Sequence, residues 1–367
     1  MKNFTVNRYI TADILNTRGA IAYVLYPFSL IYGVVQNIRR AFYRAFPQLI
    51  YQPDVPVISV GNITCGGAGK TPFVLWLVSQ LKSTHQIAIV LRGYKGKLEN
   101  QNILVSDLQA KQGDISSAGD EAALYTEKLP GVPVMIGKNR VKSIKILQAR
   151  FPDLDLVIMD DAFQYLAVQP ELKICVFNTI APFSNGFYVP AGLLREPLKN
   201  LREADFFVCS GDKDSLPKEA ETYLKTYKKP ILSGFYEVQQ IVTLSGQEVK
   251  AEDIRDKRNV LLSGIGTPKS FENTIQKAGI SFFDHFINAD HFSYDQAFMD
   301  KLSDHLALKC DYIVTTEKDF TKIKDLRVNI PLLVVKINFV LSKKDSSIDI
   351  LQTIKNSKNQ KILDKKA

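Results

Sequence analysis

Gly66, Gly67 and Gly69 lie just ahead of Lys70 and Thr71, at the end of the apolar run Val57-Ile-Ser-Val60. Glycines at this spacing let the backbone approach a phosphate closely and turn its N–H groups inward. A lysine next in line can reach β- and γ-phosphates, and the threonine hydroxyl can ligate Mg²⁺. The segment from Pro72 to Leu81 reads as a helix whose positive N-terminal end would face those phosphates. Strand, loop, Gly-Lys-Thr and helix in this order imply a bound nucleoside triphosphate. One position departs from the strict pattern, where Thr64 stands in place of glycine.

A phosphate site of this kind needs an acidic partner for its metal. Leu156-Val-Ile-Met159 is an apolar run ending in Asp160 and Asp161, which suits a strand carrying Mg²⁺-associated carboxylates at its tip. Asp120, in Ala118-Gly-Asp-Glu121, precedes a helical stretch. It is either a helix cap or a base for an attacking hydroxyl. Arg140 and Arg195 are candidates for phosphate contacts, because a guanidinium grips two oxygens at once. Of four histidines, His85, His285 and His305 lie in or beside periodic segments, whereas His291 follows Asp290 in a polar break of the kind that carries function. Thr316-Glu-Lys-Asp319 invites comparison with a guanine-reading motif, but its lysine falls one position late, so GTP is not inferred.

The elements that must hold these groups alternate between short apolar β-rich runs and helical stretches. Strands are expected at 57–60, 87–91, 132–136, 156–159, 174–177 and 206–209, and again near 260–262, 282–286, 312–315 and 332–335. The pattern predicts an α/β fold: a P-loop kinase-like parallel sheet with helices on both faces, and a smaller C-terminal α/β domain. Between them, residues 238–244 and 248–250 flank Ser245-Gly-Gln247 as a hairpin linker. The expected division is 1–50, a membrane-associated helical segment; 51–233, the nucleotide-binding core; 234–254, the linker; 255–341, the second domain; and 342–367, a basic tail.

The chain has 367 residues and a net charge of +9, with +5 on residues 1–50 and +4 on residues 342–367, so the middle is neutral. A nucleic-acid enzyme would put that charge around its groove, so no nucleic-acid partner is expected. Four scattered cysteines suggest neither zinc nor disulfides, and reduced thiols with ATP point to the cytosol. From Gly19 to Ile38 there is no charged residue, while Arg18, Arg39, Arg40 and Arg44 flank the run. Aromatics and arginines around an apolar stretch fit a helix lying at an anionic membrane surface, with the arginines against lipid. The alternative is a helix packed on the protein's own core.

Taken in order, these segments resemble the tetraacyldisaccharide 4′-kinases of lipid A biosynthesis. The resemblance runs from about Val57 to Lys322. It rests on Gly61-Asn-Ile-Thr-Cys-Gly-Gly-Ala-Gly-Lys-Thr-Pro72, Arg92-Gly-Tyr94, Gly119-Asp-Glu121, Gly137-Lys-Asn-Arg140, Asp160-Asp161, Pro190-Ala-Gly-Leu-Leu-Arg-Glu-Pro197, Gly264-Ile-Gly266, Asp290-His291 and Thr316-Glu-Lys-Asp319. Thr64 is usual in this family. The resemblance implies transfer of the ATP γ-phosphate to the 4′-hydroxyl of an acylated glucosamine disaccharide 1-phosphate, by a peripheral or monotopic enzyme at the cytoplasmic face of the bacterial inner membrane. It implies that Thr64, Cys65, Gly66, Gly67, Ala68, Gly69, Lys70 and Thr71 bind ATP, and that Asp120 with His291 forms the base. Asp160 and Asp161 would serve Mg²⁺ and the γ-phosphate, and Arg140 and Arg195 phosphates.

Three places depart from the family pattern: Ala162-Phe-Gln-Tyr165 for Gly-Leu-Gln-His, Asn178 for an aspartate, and Lys95 for a glycine. They bear on substrate positioning and leave the reaction class unchanged. The competing enzyme reading is a P-loop ATPase or GTPase of partition or metallochaperone type, against which Cys65 occupies the place of that group's extra lysine. A non-enzymatic, nucleotide-gated membrane module is the third reading.

Overall fold

The computed structural model describes residues 18–93, 98–108, 118–211, 216–290 and 292–342. These divide into two compact units, one within Leu15–Phe235 and one within Tyr236–Val340.

The first unit opens with α1 (Ala20–Ala45). An alternation follows: β1 (Val57–Gly61), α2 (Lys70–Leu81), β2 (Ile87–Leu91), β3 (Ile103–Ser106), α3 (Asp120–Lys128), β4 (Val134–Ile136), α4 (Arg140–Arg150), β5 (Leu156–Met159), β6 (Leu172–Asn178), β7 (Phe206–Ser210), α5 (Lys218–Lys225) and the start of β8 (Ile231–Thr243). The strand order is β8-β7-β6-β1-β5-β2-β4-β3. Every pairing is parallel except that of β3 with β4. All residues of β1, β2, β5 and β7 are buried. Such continuous apolar strands require cover on both faces. Ile144 and Leu147 of α4 pack on Val57, Val157 and Met159, and Leu224 of α5 packs on Phe177 and Phe207. The expected parallel α/β architecture is observed. The antiparallel edge strand β3 was not anticipated.

β1 must end in glycine. A Cβ on Gly61 would lie 2.4 Å from the backbone nitrogen of Phe163, just after the paired aspartates. The phosphate loop and the acidic turn are therefore in backbone contact at their roots.

The second unit comprises the later half of β8, α6 (Ala251–Ile254), β9 (Asn259–Ser263), α7 (Pro268–Lys277), β10 (Asp284–Ile287), α8 (Gln296–Leu306), β11 (Tyr312–Thr316), α9 (Glu317–Ile323) and β12 (Leu332–Leu341). Its order is β10-β9-β11-β12-β8, with parallel pairings from β10 to β12. Val260, Leu262 and Ile313 face α8, and Leu261 and Val314 face α7, so this sheet too is covered on both sides. At the expected hairpin, β8 turns at Ser245–Gln247, but the returning strand is reduced to a single bridged pair, Val242 with Glu248. His285 is structural, as its periodic setting suggested: it joins Glu272 at 2.9 Å to Ser263 at 2.8 Å.

α1 is inverted relative to a core helix. Its buried residues are Ala22, Ser29, Gly33 and Arg40, which share one helical face. Its large apolar residues point outward, with Val24 72%, Ile31 62% and Ile38 63% exposed. Of the flanking arginines Arg40 is not available to lipid, while Arg39 and Arg44 remain exposed but also have partners in the protein. Arg40 is buried against Glu196 at 2.7 Å, Arg44 pairs with Glu203 at 2.8 Å, and Arg39 donates to the Gln164 carbonyl at 3.0 Å. Sequence proximity to an apolar run concealed partners more than a hundred residues away.

Candidate active site

The glycine-rich loop leaves β1 and enters α2 through Gly69, whose φ of 82° places it in the left-handed region that side chains other than glycine rarely adopt. Gly66 lies there too, at 97°. The helix starts at Lys70, two residues earlier than expected, so its free N–H groups and positive end sit at the loop. Pro72 still falls in the first turn, where it removes no hydrogen bond. On its outer edge the loop is braced by Pro190–Pro197: Cys65 N donates to the Leu193 carbonyl at 2.7 Å and Arg195 N to the Ile63 carbonyl at 2.7 Å.

Asp160 and Asp161 follow β5, next to β1 in the sheet, and have opposite environments. Asp160 is fully buried. One of its oxygens accepts from the Tyr125 hydroxyl at 2.7 Å and the other from the Asp161 amide at 2.7 Å. Burial pushes its pKa up, with Lys70 and the Tyr125 hydrogen bond opposing. Asp161 takes a left-handed φ of 47°, and its carboxylate is gripped by both terminal nitrogens of Arg195 at 3.0 and 2.8 Å. Lys70 Nζ lies 3.3 Å from the same carboxylate. Burial alone would raise Asp161, but Lys70 and Arg195 outweigh it and hold the acid well below the ordinary carboxylate range.

Lys70 Nζ also donates to Asn62 Oδ1 at 3.2 Å, and Arg195 reaches that same oxygen. Two cations, one carboxylate and one amide thus converge at the loop, the arrangement needed to receive phosphate oxygens and redistribute charge around them.

Arg140 sits differently from expectation. It is 3% exposed, and its terminal nitrogens donate to the carbonyls of Asp161 at 2.9 Å and Asp160 at 2.8 Å. Burial lowers its pKa, while the two aspartates pull the other way. It fixes the acidic turn. Asp120 opens α3 half-buried, after Gly119 at a φ of 97°. Further along the same helix, Tyr125 ties α3 to Asp160. His291, Tyr94 and Lys95 lie outside the described residues. Asp290, beside His291, pairs with Lys318 at 2.8 Å.

Asn62, Tyr125, Gln164 and Tyr165 were missed as site residues. Gln164 donates to the Asn62 carbonyl at 2.6 Å, and the Tyr165 hydroxyl accepts from Arg140 N at 3.0 Å with its ring under the guanidinium. Asn178 donates to the Gly67 carbonyl at 3.4 Å, a contact the aspartate usual in the family could make only when protonated. The unusual residues after the acidic pair and at the end of β6 are therefore fitted to this chain's own loop. Asn62 carried a sequence signal as the polar residue immediately following β1, and Gln164 and Tyr165 as part of the unusual stretch after the paired aspartates.

A family model described as tetraacyldisaccharide-1-P 4′-kinase matches residues 21–355. A protein named tetraacyldisaccharide 4′-kinase from Halothermothrix orenii is 29% identical over 361 residues, covering 91% of this chain and 92% of the relative. Its namesake from Chlorobaculum parvum is 34% identical over 316 residues, covering 85% and 86%. Among solved structures, LpxK from Aquifex aeolicus in complex with ATP aligns with a TM-score of 0.71 at 27% identity, covering 92% of this chain and 99% of that one.

Proposed function

The chain belongs to the tetraacyldisaccharide-1-P 4′-kinase family, and we propose that its phosphate loop and acidic turn transfer the ATP γ-phosphoryl group to the 4′-hydroxyl of an acylated glucosamine disaccharide 1-phosphate. Family membership decides against the partition-type hydrolase. The observation that carries the assignment of residues is the convergence of Lys70 and Arg195 on Asp161 at the mouth of the glycine-rich loop.

In this reading the loop amides from Thr64 to Thr71 cradle the triphosphate. Lys70 and Arg195 exchange part of their contact with Asp161 and Asn62 for phosphate oxygens, and the charge that develops in transfer falls among groups already in position. Arg140 contributes by fixing the Asp160-Asp161 turn. Asp120, with His291, takes the proton of the attacking hydroxyl.

Mg²⁺ fits the donor set, which is made of hard oxygens. The oxygens of both aspartates are engaged, those of Asp160 by Tyr125 and the Asp161 amide and those of Asp161 by Arg195 and Lys70. Asp160, however, is fully buried, whereas the Asp161 side chain is 33% exposed and is held by cations that can turn to phosphate. Asp161 and the Thr71 hydroxyl would hold the ion, directly or through water. When bound it neutralises charge on the β- and γ-phosphates.

The lipid partner explains α1. Each methylene moved into water costs about 0.8 kcal/mol, so a multiply acylated sugar stays in its bilayer and the enzyme must meet it at the surface. The outward apolar face of α1, long enough to cross a membrane, supports attachment to the bacterial inner membrane on its cytoplasmic face, where ATP is available. Replacing Ile31, Val35 and Ile38 together with serine is expected to lower partitioning onto liposomes at least about tenfold. It should also raise the KM for lipid and leave the KM for ATP unchanged. Unaltered partitioning would assign that face another role.

Phosphoryl transfer itself is tested by ATP turnover: it should depend strictly on added lipid disaccharide, and vigorous turnover without it would indicate a hydrolase.

A further inference from the structure

Several polar contacts of α1, and of Arg18 just before it, converge on the segment leading to and carrying Arg195. Arg18 Nε donates to the Asn185 carbonyl at 3.0 Å. Ser29 Oγ donates to the Tyr188 carbonyl at 2.7 Å and accepts from Ala191 N at 2.9 Å. Tyr32 donates its hydroxyl to the carbonyl of Arg195 itself at 3.2 Å. Gly33 leaves room for the Tyr188 ring, which a Cβ would meet at 2.5 Å. About two turns beyond, Arg40 Nε donates to Glu196 Oε2 at 2.7 Å, with the two side chains 3% and 0% exposed.

Glu196 is the immediate neighbour of Arg195, so two adjacent side chains run to different destinations. Arg195 grips Asp161 and Asn62 at the phosphate loop. Glu196 is locked to α1 and takes a second hydrogen bond from Asn200 Nδ2 at 2.7 Å. Arg40 is held in turn by Glu203, which also pairs with Arg44 at 2.8 Å and Lys173 at 3.3 Å. A buried ion pair contributes little net stability compared with apolar side chains of the same volume. Its directional hydrogen bonds do fix the geometry of the backbone on either side of it.

We propose that Arg40 and Glu196 are positioning residues for phosphoryl transfer: their buried ion pair fastens the Pro190–Pro197 loop to α1 and thereby sets the Arg195 guanidinium against Asp161 at the phosphate site. This rests on the reading of Arg195 given above. It makes α1 a brace for the reacting groups as well as a membrane-facing element.

The test is a double-mutant cycle on the full-length enzyme with ATP and lipid disaccharide in mixed micelles. Arg40→Lys keeps the charge but loses the forked geometry, and Glu196→Gln keeps the shape but loses the charge. Misplacement of a catalytic group by about 1 Å costs on the order of a hundredfold. Each variant, shifting Arg195 by less, should therefore lower kcat about tenfold with little change in KM for ATP, read well below the thermal midpoint, which itself falls when one partner of a buried pair is altered. In an Arg195→Ala background the same substitutions should change kcat by less than about twofold, because the group they act through is gone.

Equal losses in both backgrounds would overturn the proposal, as would wild-type kcat in folded Arg40→Lys and Glu196→Gln enzymes. Wild-type kcat in Arg195→Ala itself would instead remove Arg195 from the reaction and the brace with it. The two failures are thereby told apart.

Discussion

Replacing Lys70 with alanine is expected to slow phosphoryl transfer by on the order of 10²–10³, the loss that follows removal of a preorganised electrostatic group. Lys70 begins α2, and its ammonium lies 3.3 Å from Asp161 and 3.2 Å from Asn62 Oδ1, so it is held at the loop before nucleotide arrives. Its loss removes one of the three cations, with Arg195 and Arg140, that offset burial of Asp161. It takes away nothing that packs the core, so the thermal midpoint should move little. Steady-state kinetics with saturating ATP and lipid, paired with a melting curve, checks this. Near-normal kcat in a folded Lys70→Ala enzyme would remove the loop from the chemistry.

Asp120→Ala is expected to cost about 10²–10⁴ in kcat, the range for a lost general base. Asp120 opens α3, and the same helix reaches Asp160 through Tyr125 at 2.7 Å, so its backbone is anchored to the acidic turn. If Asp120 and His291 handle one proton, His291→Ala should give a loss of similar size. The double variant should then be little worse than either single one, because residues acting as a unit are strongly non-additive. Losses that multiply in the double variant would separate the two roles.

Much of this site could be read in the sequence because its parts are local. The glycines, Lys70 and Thr71 are contiguous, and Asp160 and Asp161 end an apolar run, so strand periodicity sufficed to put both at strand tips. What escaped was the long-range pairing. Tyr125 meets Asp160 across 35 residues, and Gln164 meets Asn62 across 102, with no local pattern to mark either. The arginines beyond Ile38 read as lipid contacts by their neighbours in sequence, yet Arg40 finds Glu196 across 156 residues. β3, Ile103–Ser106, was missed although three of its four residues are apolar, because so short a run at an antiparallel edge is set by its pairing with β4. Arg140 was assigned to phosphate because a guanidinium grips two oxygens at once and by the family resemblance. Its burial and two carbonyl partners give it a structural task that composition could not reveal.

The chain is expected to place a phosphate on the 4′-hydroxyl of an acylated disaccharide 1-phosphate. The most direct measurement is mass spectrometry of the lipid after incubation with ATP, Mg²⁺ and the enzyme, with fragmentation to locate the new group. A gain of one phosphate on the 4′-hydroxyl of the distal glucosamine is expected, absent without ATP and strongly reduced with Lys70→Ala. ATP consumed while the lipid mass stays unchanged, or a phosphate found at any other hydroxyl, would contradict it.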